Sequence, residues 1–450
     1  MIAVVSNGRR ARYPVAMPDL VADLLGFIDC SPTPYHAVSE VARRLEADGF
    51  GRLEETAIWS HGPGQRAYVV RGDGSLIAFE AGATSPAQAG FRMVGAHTDS
   101  PNLRLKPRAD RVATGYRQLA VEPYGGVLLH TWLDRDLSLA GRATVRDGDA
   151  TRTHLIDFGR PMVRIPNLAI HLFREIREEG LKLNPQTHLV PIVGLEDAPE
   201  IRELIAAEWR LTGIADVDPT DILAFDLMTA DTQPSALVGA SQEFISAPRL
   251  DNLSSTHAAV TAFQRAIAVG SEASTRVLVI YDHEEVGSRT AQGAAGTFLG
   301  DTLSRIVSGW SGEVEPQGLE RALAASTLIS VDMAHAVHPN YADRHESNHR
   351  PVMGSGPVLK INSNKAYATD SVTQGLFESL CSSVGVESQH FVTRSDLGCG
   401  STIGPITAAR IGIPTVDVGN PMLAMHSCRE MAATADVEPM VKVLQHFWDR

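Results

Sequence analysis

Two glutamates stand side by side at the end of an apolar run, Val277-Leu278-Val279-Ile280-Tyr281-Asp282-His283-Glu284-Glu285-Val286-Gly287-Ser288. The β-branched and apolar residues of that run read as a strand buried on both faces, stopping abruptly at carboxylates and a glycine. Open α/β folds place their chemistry at such strand ends. Two adjacent carboxylates there suggest a divided task, one holding a cation and the other moving a proton; a solvated loop after an edge strand is the alternative reading, so the partners decide. Those partners recur along the chain. His97 and Asp99 follow the strand through Val94, and Asp251 lies in Arg249-Leu250-Asp251-Asn252, immediately before a helix. Asp332 ends the strand through Ile329, and His426 follows the strand Pro414–Val418. Two histidines with three or more carboxylates suit zinc or a similar borderline metal better than an all-oxygen calcium site. Two cations ~3.5–4 Å apart need a bridging carboxylate and a nearby base. The residues alone do not say which glutamate is base and which is ligand.

The elements that must position these groups alternate. Two helices are expected over residues 18–48, the first opened by Pro18 and the second by Pro34. Ala67–Arg71 and Leu76–Glu80 flank Gly72-Asp73-Gly74-Ser75, a hairpin signal. Phe91 to His97 is another buried strand. From about Arg104 to Val238 the texture changes to short alternating segments, Val127–Leu133 and Ala143–Arg146 among them. That block also holds a helix running from Pro166 through Ile170, His171, Phe173 and Ile176 to Gly180, and an amphipathic helix over Pro199–Leu211. Strand–helix alternation then resumes: helix Leu253–Val269, strand Arg276–Asp282, helix Leu319–Ala325, strand Leu328–Met333, strand Val358–Asn362, helix Ser371–Val384. Strand Ser388–Val392, helix Thr402–Ile411, strand Pro414–Val418 and a terminal helix through Trp448 complete it. The reading is an α/β fold, a central mixed sheet flanked by helices, with an inserted, mainly β domain of the dimerisation type. Catalytic parts are expected at 1–105 and 240–450, and the inserted oligomerisation domain at 106–239.

At 450 residues the chain exceeds what one core usually organises. With 44% hydrophobic and 21% charged residues it has the composition of a soluble globular protein. A net charge of −13 argues against nucleic acid or an anionic membrane as partner. No apolar stretch reaches the ~18 residues of a membrane span, and the start is too weakly apolar for a signal peptide. Cys30, Cys381, Cys399 and Cys428 form no CxxC pair and read as reduced thiols of a cytoplasmic protein. Gly293-Ala294-Ala295-Gly296 lacks the lysine of a phosphate loop, and Arg9-Arg10 reads as a solvated terminus. Cys399 reads as a structural loop residue, and His338, His345 and His349 as pocket lining or structural.

The chain resembles the aspartyl aminopeptidases, members of the co-catalytic zinc exopeptidase group. Gly95-Ala96-His97-Thr98-Asp99-Ser100-Pro101, Arg249-Leu250-Asp251-Asn252 and Asp282-His283-Glu284-Glu285-Val286-Gly287-Ser288 carry the resemblance. So do Asp332-Met333-Ala334-His335-Ala336-Val337-His338-Pro339-Asn340-Tyr341, Gly400-Ser401-Thr402-Ile403-Gly404-Pro405 and the surroundings of His426. The resemblance implies His97 and Asp332 on one metal, Glu285 and His426 on the other, Asp251 bridging, and Glu284 as general base. Asp99 would accept from the far nitrogen of His97 and fix its tautomer. Two Zn2+ per subunit are expected, with Co2+ or Mn2+ fitting the same ligands. The substrates implied are peptides with a free N-terminus and an acidic first residue, met by Lys360, Tyr367 and His335. His171 matches a histidine that the family's insert lends to a neighbouring subunit's site, within a homo-oligomer that in this family is a tetrahedral dodecamer. From the residues alone, a deacylase or carboxypeptidase on the same metal site stays open.

Overall fold

The apolar runs fold as strands that bury alternate residues on opposite faces. A computed structural model of the chain describes residues 19–270, 272–310 and 315–450; Pro18 and the Arg9-Arg10 pair lie outside them. In a nine-stranded sheet, Thr275–Tyr281, Phe91–His97, Thr327–Val331 and Thr415–Gly419 are consecutive in space, and each pairs with the next in parallel. Along Thr275–Tyr281, Val277 and Val279 join one core with Phe91, Met93, Phe298 and Leu303. Leu278 and Ile280 join another with Val94, Ala96, Phe263 and Trp448. That period of two explains why the sequence is a continuous apolar run: both faces are covered by helices. Leu250–Val269 and Val437–Trp448 cover one face, Phe298–Ser308 and Ile403–Ile411 the other.

The register puts chemistry at one edge. Tyr281 pairs with His97, and Ser330 with Gly95, so the C-terminal ends of three neighbouring parallel strands release Asp282, His97 and Asp332 side by side. The hairpin expected at residues 72–75 is present between Arg66–Arg71 and Ser75–Glu80, with Gly72 and Asp73 both at φ 60°. Two such left-handed residues match the turn to the twist of the strands.

A second, six-stranded antiparallel sheet runs Ala150–Asp157, Leu137–Asp147, Ile222–Asp231, Asn102–Ala113, Tyr116–Tyr124, Ile192–Leu195 in space. It has its own core, in which Leu103, Leu139 and Val145 pack with Ile205 and Trp209 of helix Ile201–Thr212. A five-stranded sheet runs Ala236–Val238, Phe244–Ala247, Glu430–Ala433, Pro421–Leu423, Ala334–His335 in space.

Three local expectations differ. The helix expected from Pro166 to Gly180 is a 3-10 turn at Ile170–Leu172 and a single helical turn at Ile176–Glu179. Leu168 and Leu172 on it are 57% and 73% exposed, so its apolar stripe covers no core in this chain, and short helices without packing are marginal. Val127–Leu133 holds a 3-10 turn, Leu129–Trp132, rather than a strand. The helix Phe298–Ser308, which directly follows the glycine-rich stretch, is additional to those expected.

Candidate metal centre

The strand ends and two loops bring five expected ligands into one cluster. His97 Nε2 lies 3.5 Å from Asp251 Oδ1 and 3.4 Å from Asp332 Oδ1. His426 Nε2 lies 3.4 Å from Asp251 Oδ2 and 3.2 Å from Glu285 Oε2. Asp251 therefore turns one oxygen to each histidine. Donor atoms of His97, Asp251 and Glu285 all fall within 4.8 Å of one another. Three of the four histidine–carboxylate separations exceed the usual hydrogen-bond range, and all four match the edge of a zinc tetrahedron, about 3.3 Å for bonds of about 2.0–2.1 Å. Asp251 Oδ1 and Glu285 Oε1 are buried and accept no hydrogen bond among the described residues. A buried carboxylate oxygen without a donor is costly, and a divalent cation satisfies it.

The electrostatics point the same way. Burial works against charge on His97, but the facing carboxylates of Asp251, Asp332 and Asp99 outweigh it and hold its pKa well above the usual value. At His426 burial is likewise overcome, by Asp251 and Glu285, and the pKa stands at about 11. Burial pushes Glu285 up to about 7 and Glu284 well above its usual range. Asp251 moves down despite burial, because His426 and His97 face it. The carboxylates thus draw positive charge to both imidazoles, a demand that metal cations meet among such ligands.

Two further carboxylates hold the ligands by their backbones. Asp99, completely buried, accepts from the amides of Glu284 (3.0 Å) and Glu285 (3.1 Å) and from the Tyr124 hydroxyl (2.6 Å). Its pKa is drawn down to about 2, burial being outweighed by His97 and these donors. The nearest partner of His97 Nδ1 is the Asp99 carbonyl at 3.0 Å, with the carboxylate at 3.4 Å. Glu430 does the corresponding work on the other side, accepting from the amides of Asp251 (2.9 Å) and His426 (2.6 Å). Neither Glu430 nor Tyr124 stands out in the sequence, because a bond to a backbone amide 179 residues away has no spacing signature. The loops bend sharply: Arg249, His283 and His426 have φ of 55°, 65° and 68°, a left-handed conformation that non-glycine residues adopt at a cost of about 1–3 kcal/mol.

Residues 27–448, which span this cluster and all three sheets, match the family model described as aminopeptidase I zinc metalloprotease (M18). The chain belongs to the M18 family. A Pseudomonas aeruginosa relative named probable M18 family aminopeptidase 2 is 49% identical over 435 residues, covering 96% of this chain and 98% of that one. Among solved structures, a chain in the cryo-EM structure of the Ape4 and Nbr1 complex superposes with TM-score 0.91 at 40% identity, over 96% of this chain and 85% of that one. The S. cerevisiae mApe1 dodecamer gives TM-score 0.83 at 30% identity, over 96% and 97%.

In this M18 zinc aminopeptidase the expected substrate-side residues fall into two groups. Lys360, buried, sets its ammonium 3.3 Å from Asp332 Oδ2 and 3.2 Å from the Met333 carbonyl, and 5.3 Å over the Tyr367 ring. Tyr367 and His335 both meet Phe391, at centroid distances of 6.4 and 5.6 Å. These three residues therefore gather beside Asp332. His171 stands apart, exposed on the Ile170–Leu172 turn of the second sheet's block. Of the histidine run, His338 caps its own turn by accepting from the Asn340 amide. Cys399 accepts from Thr393 at 3.2 Å. No helix among the described residues is long and apolar enough to cross a membrane.

Proposed function

We propose that this aminopeptidase uses two zinc ions per subunit to remove acidic residues from peptide N-termini. The observation that carries the two-ion reading is Asp251, whose oxygens divide between His97 and His426, each histidine having one further carboxylate, Asp332 or Glu285. The ions would be held by His97 and Asp332 on one side and Glu285 and His426 on the other, with Asp251 shared. When bound, zinc supplies Lewis-acid polarisation of the scissile carbonyl and a more acidic water. Glu284 accepts the proton from the attacking water and delivers it to the departing amine. Burial raises its pKa above the usual carboxylate range, which favours holding the proton once it has been taken up.

The acidic preference rests on Lys360, whose ammonium sits beside the cluster with Tyr367 and His335. The six-stranded sheet and its helix are read as the inserted assembly unit of residues 106–239. The relative solved as a dodecamer supports a homo-oligomer, within which His171 would reach a neighbouring subunit's site. The four free cysteines agree with a cytoplasmic enzyme.

Aspartyl, glutamyl, leucyl and N-acetylated anilides, each assayed with and without chelator, test this reading. Chelator-sensitive turnover of the aspartyl and glutamyl substrates is expected, with blocked N-termini inert. Preference for N-acylated or neutral substrates overturns the substrate assignment. Glu284→Gln should keep its zinc and lose about 10²–10⁴-fold in kcat; full activity in that variant sinks the base assignment.

A further inference from the structure

The six-stranded sheet touches the metal cluster through a short strap. Strand Asn102–Ala113 starts three residues after Asp99, and its partner strand Tyr116–Tyr124 returns so that Tyr124 pairs with Asn102. The chain thus leaves the catalytic edge, runs out along the second sheet and comes back to within one residue pair of its departure. Tyr124, Gly125, Gly126 and Leu128, at the end of that return, then contact the cluster.

Tyr124 donates its hydroxyl to Asp99 Oδ2 at 2.6 Å, the oxygen that also accepts the Glu285 amide. Its ring is held by the Arg104 guanidinium, stacked 3.6 Å from the centroid. Gly125 lies against Glu285, where an added Cβ would come within 3.1 Å of both its Cβ and its carbonyl oxygen. The Gly126 carbonyl sits 3.2 Å from His426 Nδ1. The Leu128 amide donates to the His426 carbonyl at 3.0 Å. Glu285 and His426, assigned above to one ion, are therefore both fixed from the second sheet.

We propose that the strap Tyr124–Leu128 is a positioning device for the metal cluster, Tyr124 acting through Asp99 on the Glu284–Glu285 backbone and Gly126 acting on the His426 ring. This role presupposes that the cluster binds metal. The Asp99 carboxylate sets the height of both glutamates above the strand end. Without the Tyr124 hydroxyl, a buried carboxylate oxygen loses its hydroxyl donor and the two amides lose a fixed acceptor. The Gly126 carbonyl selects the His426 tautomer that leaves Nε2 free to face Asp251 and Glu285. The second sheet is then part of the catalytic apparatus as well as of any assembly.

The test is zinc titration of chelator-stripped protein against a chromogenic chelator, alongside steady-state kinetics, for the unaltered chain, Tyr124→Phe, Asp99→Asn and the double variant. Zinc binding by the unaltered chain separates failure of the metal-centre reading from failure of this one. Tyr124→Phe is expected to bind zinc about 10–100-fold more weakly and to lose a similar factor in kcat, with KM within about threefold. Because Tyr124 acts through Asp99, adding Tyr124→Phe to Asp99→Asn should cost nothing further. Wild-type zinc affinity and kcat in Tyr124→Phe, or a full independent loss in the double variant, overturns the proposal. Gly126→Ala guards against a folding defect in the tyrosine variants. Its Cβ would meet His426 Nδ1 at 3.2 Å, so weaker zinc binding by folded protein is expected, and unchanged affinity counts against the strap.

Discussion

At the scale of single residues, Lys360 is the most exposed to contradiction. Its ammonium serves Asp332 and the Met333 carbonyl as the chain stands, so two effects must be separated. Lys360→Met should lower selectivity for aspartyl over leucyl anilides by about 10–100-fold, the value of a charge-assisted hydrogen bond of about 1.5–3 kcal/mol. Any loss through Asp332 should fall on both substrates equally, so the ratio of kcat/KM isolates recognition. An unchanged ratio removes Lys360 from the specificity pocket. His36 makes a separate prediction about acid. Burial, reinforced by Arg249, lowers its pKa from the usual 6.5 to about 4. A depressed histidine stabilises the fold above its unfolded value. That contribution is lost as pH falls from about 6.5 through about 4. Denaturant midpoints measured across that window should drop on the acid side, and His36→Asn should flatten the decline. A parallel decline in the variant would refute the assignment.

At the scale of elements, the parts legible in the sequence are those whose burial leaves a local pattern. Val277 to Tyr281 and Met93 to Ala96 are apolar because helices cover both faces, and the candidate ligands stand out at the strand ends. Residues 166–180 mislead for the same reason in reverse. Leu168, Leu172, Phe173 and Ile176 have helical spacing, but none of them is buried in a core of this chain. The clamps of Asp99 and Glu430 on backbone amides are beyond sequence reasoning, since either partner alone looks like any acidic residue. Trp209 tests whether the second sheet depends on its covering helix, Ile201–Thr212. It is fully buried and its Nε1 donates to the Leu155 carbonyl at 2.8 Å. Trp209→Ala should destabilise that sheet by about 3–5 kcal/mol, seen as an early transition in urea by circular dichroism. A single transition at the original midpoint would show that the helix is dispensable.

At the scale of the whole molecule, the proposed metal cluster ties three sheets together: His97 ends a strand of the nine-stranded sheet and Glu285 and Asp332 follow two others, Glu430 comes from the five-stranded one and Tyr124 from the six-stranded one. Zinc bound there should therefore stabilise the entire chain rather than one loop. Ligand at a thousandfold over its Kd contributes about 4 kcal/mol, so thermal scans in excess zinc and in chelator should differ clearly in Tm. Coincident scans would show that the cluster does not bind zinc in the folded state.

The order of strands in the nine-stranded sheet also has a consequence in time. Thr415–Gly419 pairs with Thr327–Val331 on one side and Val358–Ile361 on the other, so two earlier strands wait for a later one. His426 and Glu430 come later still. A chain emerging from a ribosome cannot assemble the cluster until residues through Glu430 are available, and contacts between such distant residues form slowly. Peptide-cutting ability is thus acquired late as the chain is made, after its first helices, its hairpin and its second sheet have had time to form.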